Sequence, residues 1–173
     1  KVEIVTDTIK QFTSNGIELD SGGQLEADII VAATGLTMRL FGGMQIKVDG
    51  ANIQINQQHA YRGVMFSNLP NFAMAVGYTN ASWTLKCDLN CQFVAKLINY
   101  MNNKAYNSCT PVFDKAEFGE EDLLDLSSGY VQRAKDILPK QGSKKPWKVH
   151  QNYIKDLFML KYGKVDDGYL EFA

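Results

Sequence analysis

Phe72-Ala73-Met74-Ala75-Val76-Gly77-Tyr78-Thr79-Asn80-Ala81-Ser82-Trp83-Thr84-Leu85 is the stretch on which the reading of this chain turns. An apolar run, short enough for a buried strand, enters a polar loop from Gly77 to Ser82, and the apolar spacing then changes. Leu85, Leu89, Phe93, Val94, Leu97, Ile98 and Met101 recur at helical intervals and predict a helix from about Ser82 to Asn102. Loops at the carboxyl ends of strands are where α/β folds bind ligands. A helix starting there presents unpaired N–H groups and the positive end of its dipole, which suits a carbonyl oxygen or an anion. A plainer reading stays open, in which Thr79, Asn80 and Ser82 only cap the helix. Asn80-Ala81-Ser82 also spells an N-glycosylation sequon, which reads as coincidence.

Upstream, the pattern is β-rich. Val2-Glu3-Ile4-Val5-Thr6 is strand-like, Asn15-Gly16 and Ser21-Gly22-Gly23 are turn signals, and Ile17 and Leu19 alternate with polar residues between them. Ile29-Ile30-Val31-Ala32-Ala33 is continuously apolar, as in a strand covered on both faces, and Thr34-Gly35 ends it. A further hairpin sets Ile46 and Val48 opposite Ile53 and Ile55 across Asp49-Gly50. Gly63–Phe66 is another short apolar segment.

Downstream, Ser127 or Ser128 is placed to cap a helix carrying Tyr130, Val131, Ala134, Ile137 and Leu138, which Pro139 stops. A last helix is expected from His150 to Tyr162, with Tyr153, Ile154, Leu157 and Leu160 inward and Gly163 as its end signal. Phe158, Met159 and Leu160 admit a peripheral membrane contact, although a core face explains them more simply. These patterns divide the chain into residues 1–103, the end of nucleotide-binding sheets with a strand-loop-helix site, and 104–173, a mostly helical tail.

The chain has 173 residues, 45% of them apolar, with 18 basic and 19 acidic side chains and a net charge of −1. That balance argues against a nucleic-acid binder, and the apolar content against global disorder. No apolar run approaches the ~20 residues that span a bilayer. Three cysteines read as reduced thiols of a cytoplasmic protein, with Cys87 and Cys91 packing in the core. Charge is polarised locally. Six acids and one lysine lie in Asp114–Asp125, and six bases and one acid in Arg133–Lys148. Two solvated or mutually paired surfaces account for this, and a basic stretch beside an anionic cofactor is the sharper alternative. The chain opens on Lys1 without a signal-peptide pattern and reads as a piece of a longer protein.

Several motifs are absent from the sequence: G-x-G-x-x-G, the P-loop, H-E-x-x-H, C-x-x-C and G-x-S-x-G. His59 and His150 stand alone, so no metal site is expected.

Ala27-Asp28-Ile29-Ile30-Val31-Ala32-Ala33-Thr34-Gly35-Leu36 resembles the alanine-threonine-glycine strand of flavin-containing and Baeyer–Villiger monooxygenases. Leu69-Pro70-Asn71-Phe72 and Val76–Lys86 resemble their late flavin-contacting strand, loop and helix. Leu138–Ser143, Pro146-Trp147, Gln151-Asn152-Tyr153 and Val165-Asp166-Asp167-Gly168 narrow the likeness to the subgroup of ethionamide-activating monooxygenases. The likeness runs essentially end to end.

The resemblance implies an α/β fold, the C-terminal portion of a two-dinucleotide-binding-domain flavoprotein with a β-rich first half and a helical tail. It implies FAD and NADPH as cofactors, and a C4a-(hydro)peroxyflavin that oxygenates ketones or soft sulfur and nitrogen centres with O2. The glycine-rich FAD and NADPH loops, the Baeyer–Villiger fingerprint and the catalytic arginine of such enzymes precede the matched region. No catalytic residue is therefore assigned here, the missing N-terminal part of the same chain is the expected partner, and the fragment alone is expected to be inactive. Thr79, Asn80, Ala81 and Ser82 would face the flavin pyrimidine edge through backbone N–H groups, with Gly77 allowing close approach. Trp83 would be an active-site ring or a core packer. Thr34 and Gly35 would lie where the FAD and NADPH domains join. An FAD-dependent pyridine-nucleotide oxidoreductase without oxygenation, or a non-enzymatic interaction domain, remains an alternative.

Overall fold

The computed structural model describes residues 2–124 and 127–173. It divides into two compact units, Lys1–Leu36 and Thr37–Ala173. The first unit is an antiparallel meander of β1 (Ile9–Thr13), β2 (Gly16–Leu19) and β3 (Gln24–Glu26). Its turns fall at the two predicted signals, and its registers pair Phe12 with Ile17 and Ile17 with Leu25. The two long apolar runs behave otherwise. Val2–Thr6 forms no strand, and neither does Ile29–Ala33, where Ile29 and Val31 are each 83% exposed. This corrects the expectation of a strand covered on both faces. A strand needs neighbours for its N–H and C=O groups, and the meander supplies none beyond β3.

The second unit is mixed α/β, built from small antiparallel pairs around one long helix. β4 (Lys47–Val48) and β5 (Ala51–Asn52) form the expected hairpin. Its turn residues Asp49 and Gly50 both take positive φ, 50° and 83°, the geometry that matches strand twist in a two-residue turn. Ile46, Val48, Ile53 and Ile55 pack with Ala60, Phe66 and Leu69 in a small cluster. β6 (Ala60–Tyr61) and β7 (Met65–Phe66) form a second hairpin. Phe72–Gly77, expected as a buried strand, forms none: it carries a single bridge, between Ala73 and Met65, and Ala73 and Ala75 are exposed.

The long helix, α1 (Trp83–Lys104), follows the predicted span. Its inner stripe of Leu89, Phe93 and Leu97 enters the main core with Tyr61, Met65, Trp147 and Leu160. Leu85 and Ile98, predicted on the same face, are exposed. Cys91 is exposed and Cys87 half-buried, so the cysteine pair does not pack in the core; Cys109 does.

The tail alternates short helices with short strands: β8 (Cys109–Pro111), α2 (Lys115–Phe118), β9 (Glu121–Asp122), α3 (Gly129–Arg133), β10 (Lys140–Gln141), α4 (Tyr153–Asp156) and β11 (Leu170–Phe172). It is less helical than expected. The last helix starts at Tyr153, where Asn152 caps it by accepting the Lys155 N–H, and continues as a π-helical turn over Leu157–Tyr162. Gly163 has φ −63° and is no left-handed cap. Lys96 of α1 ends the turn instead, its Nζ donating to the carbonyls of Lys161 and Gly163.

β9 and β10 pair antiparallel, and they join the acidic and basic stretches. Asp122 meets both Lys135 and Lys140, Glu117 meets Lys144, and Glu121 meets Lys148. The two stretches therefore pair with each other, the plainer of the two expectations. Asp125, the last acid of its stretch, lies outside the described residues.

Candidate functional site

The loop between Phe72–Gly77 and α1 is held by the tail. The Thr79 N–H and hydroxyl both donate to Gln151 Oε1, at 3.0 and 3.2 Å. Asn80 Nδ2 donates to the Gln151 carbonyl at 3.1 Å. Tyr78 is buried, and its hydroxyl donates to Asp156 Oδ2 at 2.8 Å. The same oxygen takes Lys86 Nζ of α1 at 2.7 Å, and both charged side chains are essentially sealed from solvent. Burial pulls the Lys86 ammonium below its ordinary pKa, against the opposing pull of Asp156. Burial, reinforced by the Asp156 carboxylate, raises the Tyr78 phenol.

These contacts decide what is left at the start of α1. Thr79 and Asn80 are spent on Gln151, and the Ser82 hydroxyl pairs with Thr84 Oγ1 at 2.9 Å. Ser82 occupies the cap position but its side chain makes no capping bond, and the first turn contains no acidic residue. The first-turn N–H groups of a long helix thus have no side-chain acceptor among the described residues, in a segment whose residues Thr79 to Leu85 are exposed. That is an electropositive terminus built of backbone donors. The capping roles considered for Thr79, Asn80 and Ser82 are not the ones they fill.

Gly77 is buried, and a Cβ there would overlap the Trp83 ring. The close approach at Gly77 is therefore made by this indole. Trp83 is itself 56% exposed, so it is a surface ring leaning on the loop and not a core packer. Ala81 sits exposed at the loop tip. Thr34 and Gly35 belong to the first unit, in an exposed segment without regular structure where Gly35 has φ 97°.

Beside the loop lies a cavity of about 510 Å³. Gly77, Trp83, Phe66, Val131, Leu138 and Val149 give it a mainly apolar wall, and Lys86, His150 and Gln151 add polar groups. His150 Nε2 is buried with no hydrogen-bond partner among the described residues. Burial pulls its pKa below the ordinary histidine value, which favours the neutral ring. A concave apolar site with a few convergent polar atoms is the usual form of a small-molecule pocket. The sequence reading missed Asp156 and His150 here. The signal available was an acid and a histidine in an otherwise lysine-rich, apolar tail. No group of residues that could hold a metal ion occurs among the described residues.

The chain is similar over all of its 173 residues to the FAD-containing monooxygenase EthA of Mycobacterium tuberculosis, at 48% identity, and covers 35% of that protein. It is 45% identical to the FAD-containing monooxygenase EthA of Mycolicibacterium smegmatis, again over its whole length and 35% of the relative. With the probable FAD-binding monooxygenase AlmA of Acinetobacter baylyi the identity is 43%, over 99% of this chain and 35% of the relative. The match falls in the C-terminal region of these proteins, and the chain spans about a third of their length. No family model and no solved structure matches it.

Proposed function

We propose, from its match to FAD-containing monooxygenases, that this chain is the flavin-facing C-terminal part of an FAD- and NADPH-dependent monooxygenase of the Baeyer–Villiger type, acting on ketones or soft sulfur and nitrogen centres. One observation carries the reading. The N-terminus of α1 has no side-chain cap, since Thr79 and Asn80 are tied to the tail and the Ser82 hydroxyl to Thr84, and its first turn carries no acid. Such a donor set fits the electron-rich pyrimidine edge of a flavin and stabilises negative charge there without reorganising.

Bound FAD would supply the redox chemistry with oxygen, using reducing equivalents from NADPH. The residues of this chain bind and orient. Asn80, Ala81 and Ser82, with the first turn of α1, present backbone donors toward the flavin, whereas the Thr79 N–H is taken by Gln151 and Thr79 serves to hold the loop. Gln151 and Asp156 fix the loop that carries them. Thr34 and Gly35 link the cofactor domains. The neighbouring apolar cavity suits a small organic substrate, and the unpartnered His150 Nε2 suits an oxygen atom on it.

Oxygen uptake by a protein containing this chain tests the proposal. The expected result is uptake that needs both FAD and NADPH and rises with a ketone or sulfide. NADPH oxidation with no oxygenated product would favour the plain oxidoreductase, and no flavin dependence would remove the proposal.

A further inference from the structure

The C-terminal helical segment, residues 153–162, has two unlike faces. Leu160 and Met159 enter the core, and Asp156 is buried in its pair with Lys86. The other face is apolar and open: Ile154 is 57% exposed, Phe158 62% and Tyr162 64%. These residues recur every fourth position, and the Phe158 and Tyr162 rings lie 6.0 Å apart, so the two rings form one apolar ridge with Ile154 a turn before it. Of the two readings of Phe158, Met159 and Leu160, a core face and a peripheral membrane contact, the core face holds for Met159 and Leu160 and not for Phe158.

The exposed charges of the segment itself have one sign. Lys155, Lys161 and Lys164 are exposed, and none forms an ion pair among the described residues. Lys161 Nζ lies 5.8 Å from the centre of the Tyr162 ring. From Lys144 to Val165 the only acid is Asp156, which is sealed inside. The next acid, Asp166, accepts a hydrogen bond from the Tyr100 hydroxyl.

We propose that this ridge docks on an anionic lipid surface, independently of the flavin site. Ile154, Phe158 and Tyr162 would enter the headgroup boundary while Lys155, Lys161 and Lys164 meet lipid phosphates. An apolar stripe flanked by lysines and lying in the plane of the interface is the arrangement that binds membranes peripherally. The long lysine stems keep their charge in the headgroup layer while the ring of Tyr162 sits at its depth. Two other occupants fit less well. A second copy would bring the same lysines against these in a two-fold contact, and like charges there repel. An acidic protein partner would pair with the lysines but leaves the exposed Ile154, Phe158 and Tyr162 side chains unexplained.

Co-sedimentation of the purified protein with vesicles tests this. Binding is expected with phosphatidylglycerol-containing vesicles, and it should fall on adding salt and on using pure phosphatidylcholine. Phe158→Ser with Tyr162→Ser should weaken binding by about tenfold or more, and so should Lys155→Glu with Lys161→Glu. All four side chains are exposed, so both variants should melt as the parent does, which separates lost docking from lost folding. Equal binding to neutral vesicles, or binding unmoved by both variants, overturns the proposal. So does concentration-dependent dimerisation that the Phe158 and Tyr162 changes abolish in the absence of lipid.

Discussion

Gln151 Oε1 accepts two hydrogen bonds from Thr79, one from the backbone N–H at 3.0 Å and one from the hydroxyl at 3.2 Å. One tail side chain thus holds a loop 72 residues earlier and removes that loop's polar groups from the helix behind it. Gln151→Ala should free the loop at little global expense, since a part-exposed hydrogen bond contributes about 0.5–1.5 kcal/mol. The expected result is faster amide exchange across Thr79–Ser82 with a nearly unchanged melting temperature. Unchanged exchange at Thr79 would show that the loop does not depend on Gln151.

Asp156 is the deeper anchor. It holds both the Tyr78 hydroxyl and the Lys86 ammonium in a site closed to water. Asp156→Ala strands a buried cation and should destabilise the protein by about 3–5 kcal/mol. Lys86→Met combined with Asp156→Leu removes both charges and should recover much of that loss. Denaturant unfolding of the single and double variants measures the difference. A double variant as unstable as Asp156→Ala would mean that packing, and not the unpaired charge, sets the cost.

Arg62 joins the β6–β7 hairpin to the end of the chain. Its Nη2 donates to Asp167 Oδ2 at 2.7 Å and to the Lys164 carbonyl at 2.8 Å, and its guanidinium carbon lies 5.0 Å from the centre of the Phe93 ring. The Tyr61 hydroxyl donates to the other Asp167 oxygen at 2.8 Å. Arg62→Lys keeps the charge but loses the planar fork and the stacking, so it should behave as a damaging change, costing roughly 2 kcal/mol or more. An Arg62→Lys melt matching the parent would contradict this account of how the tail is fixed.

The two histidines set an expected pH dependence. Burial lowers both His59 and His150 from the ordinary value of 6.5, so the folded protein favours their neutral forms. The unfolded chain then binds protons more readily, and stability falls as pH drops below about 6.5. His59 stacks on Phe113 at 3.6 Å, and its Nε2 lies 2.9 Å from Glu120, whose hydrogen bond with the ring holds the carboxyl below its ordinary value. The contribution from Glu120 persists to lower pH and is lost as pH falls through its folded pKa. Melting temperatures from pH 8 to 5 check the first step. His59→Phe keeps the stack and should flatten that slope; an unchanged slope would place the proton uptake elsewhere.

Much of the local structure was legible because it is written in neighbouring residues. Asp49-Gly50 announces a turn that needs two positive φ angles, and the spacing of Leu89, Phe93 and Leu97 announces α1. What depends on distant partners was not legible. Ile29–Ala33 has the apolar pattern of a covered strand and is exposed here, because the pattern does not say which neighbours cover it. The helix after His150 was visible, while its start depends on the Asn152 cap and its end on Lys96, more than sixty residues away. The polar loop and the start of α1 stood out, while the strand expected before them is reduced to one bridge at Ala73. The anchoring of the loop by Gln151 and Asp156 did not stand out, because no short-range rule links residues so far apart in the chain.

The most direct test is the FAD affinity of the protein that carries this chain, compared with its Thr84→Pro variant. Proline is tolerated in the first turn of a helix and removes one backbone N–H there. Flavin fluorescence quenching reads the affinity, and an apo-protein melt confirms the fold. The account predicts about tenfold weaker FAD binding with an unchanged apo melt, the loss of one hydrogen bond to an electron-rich group. Equal affinity in the two proteins would contradict the claim that the uncapped start of α1 faces the flavin.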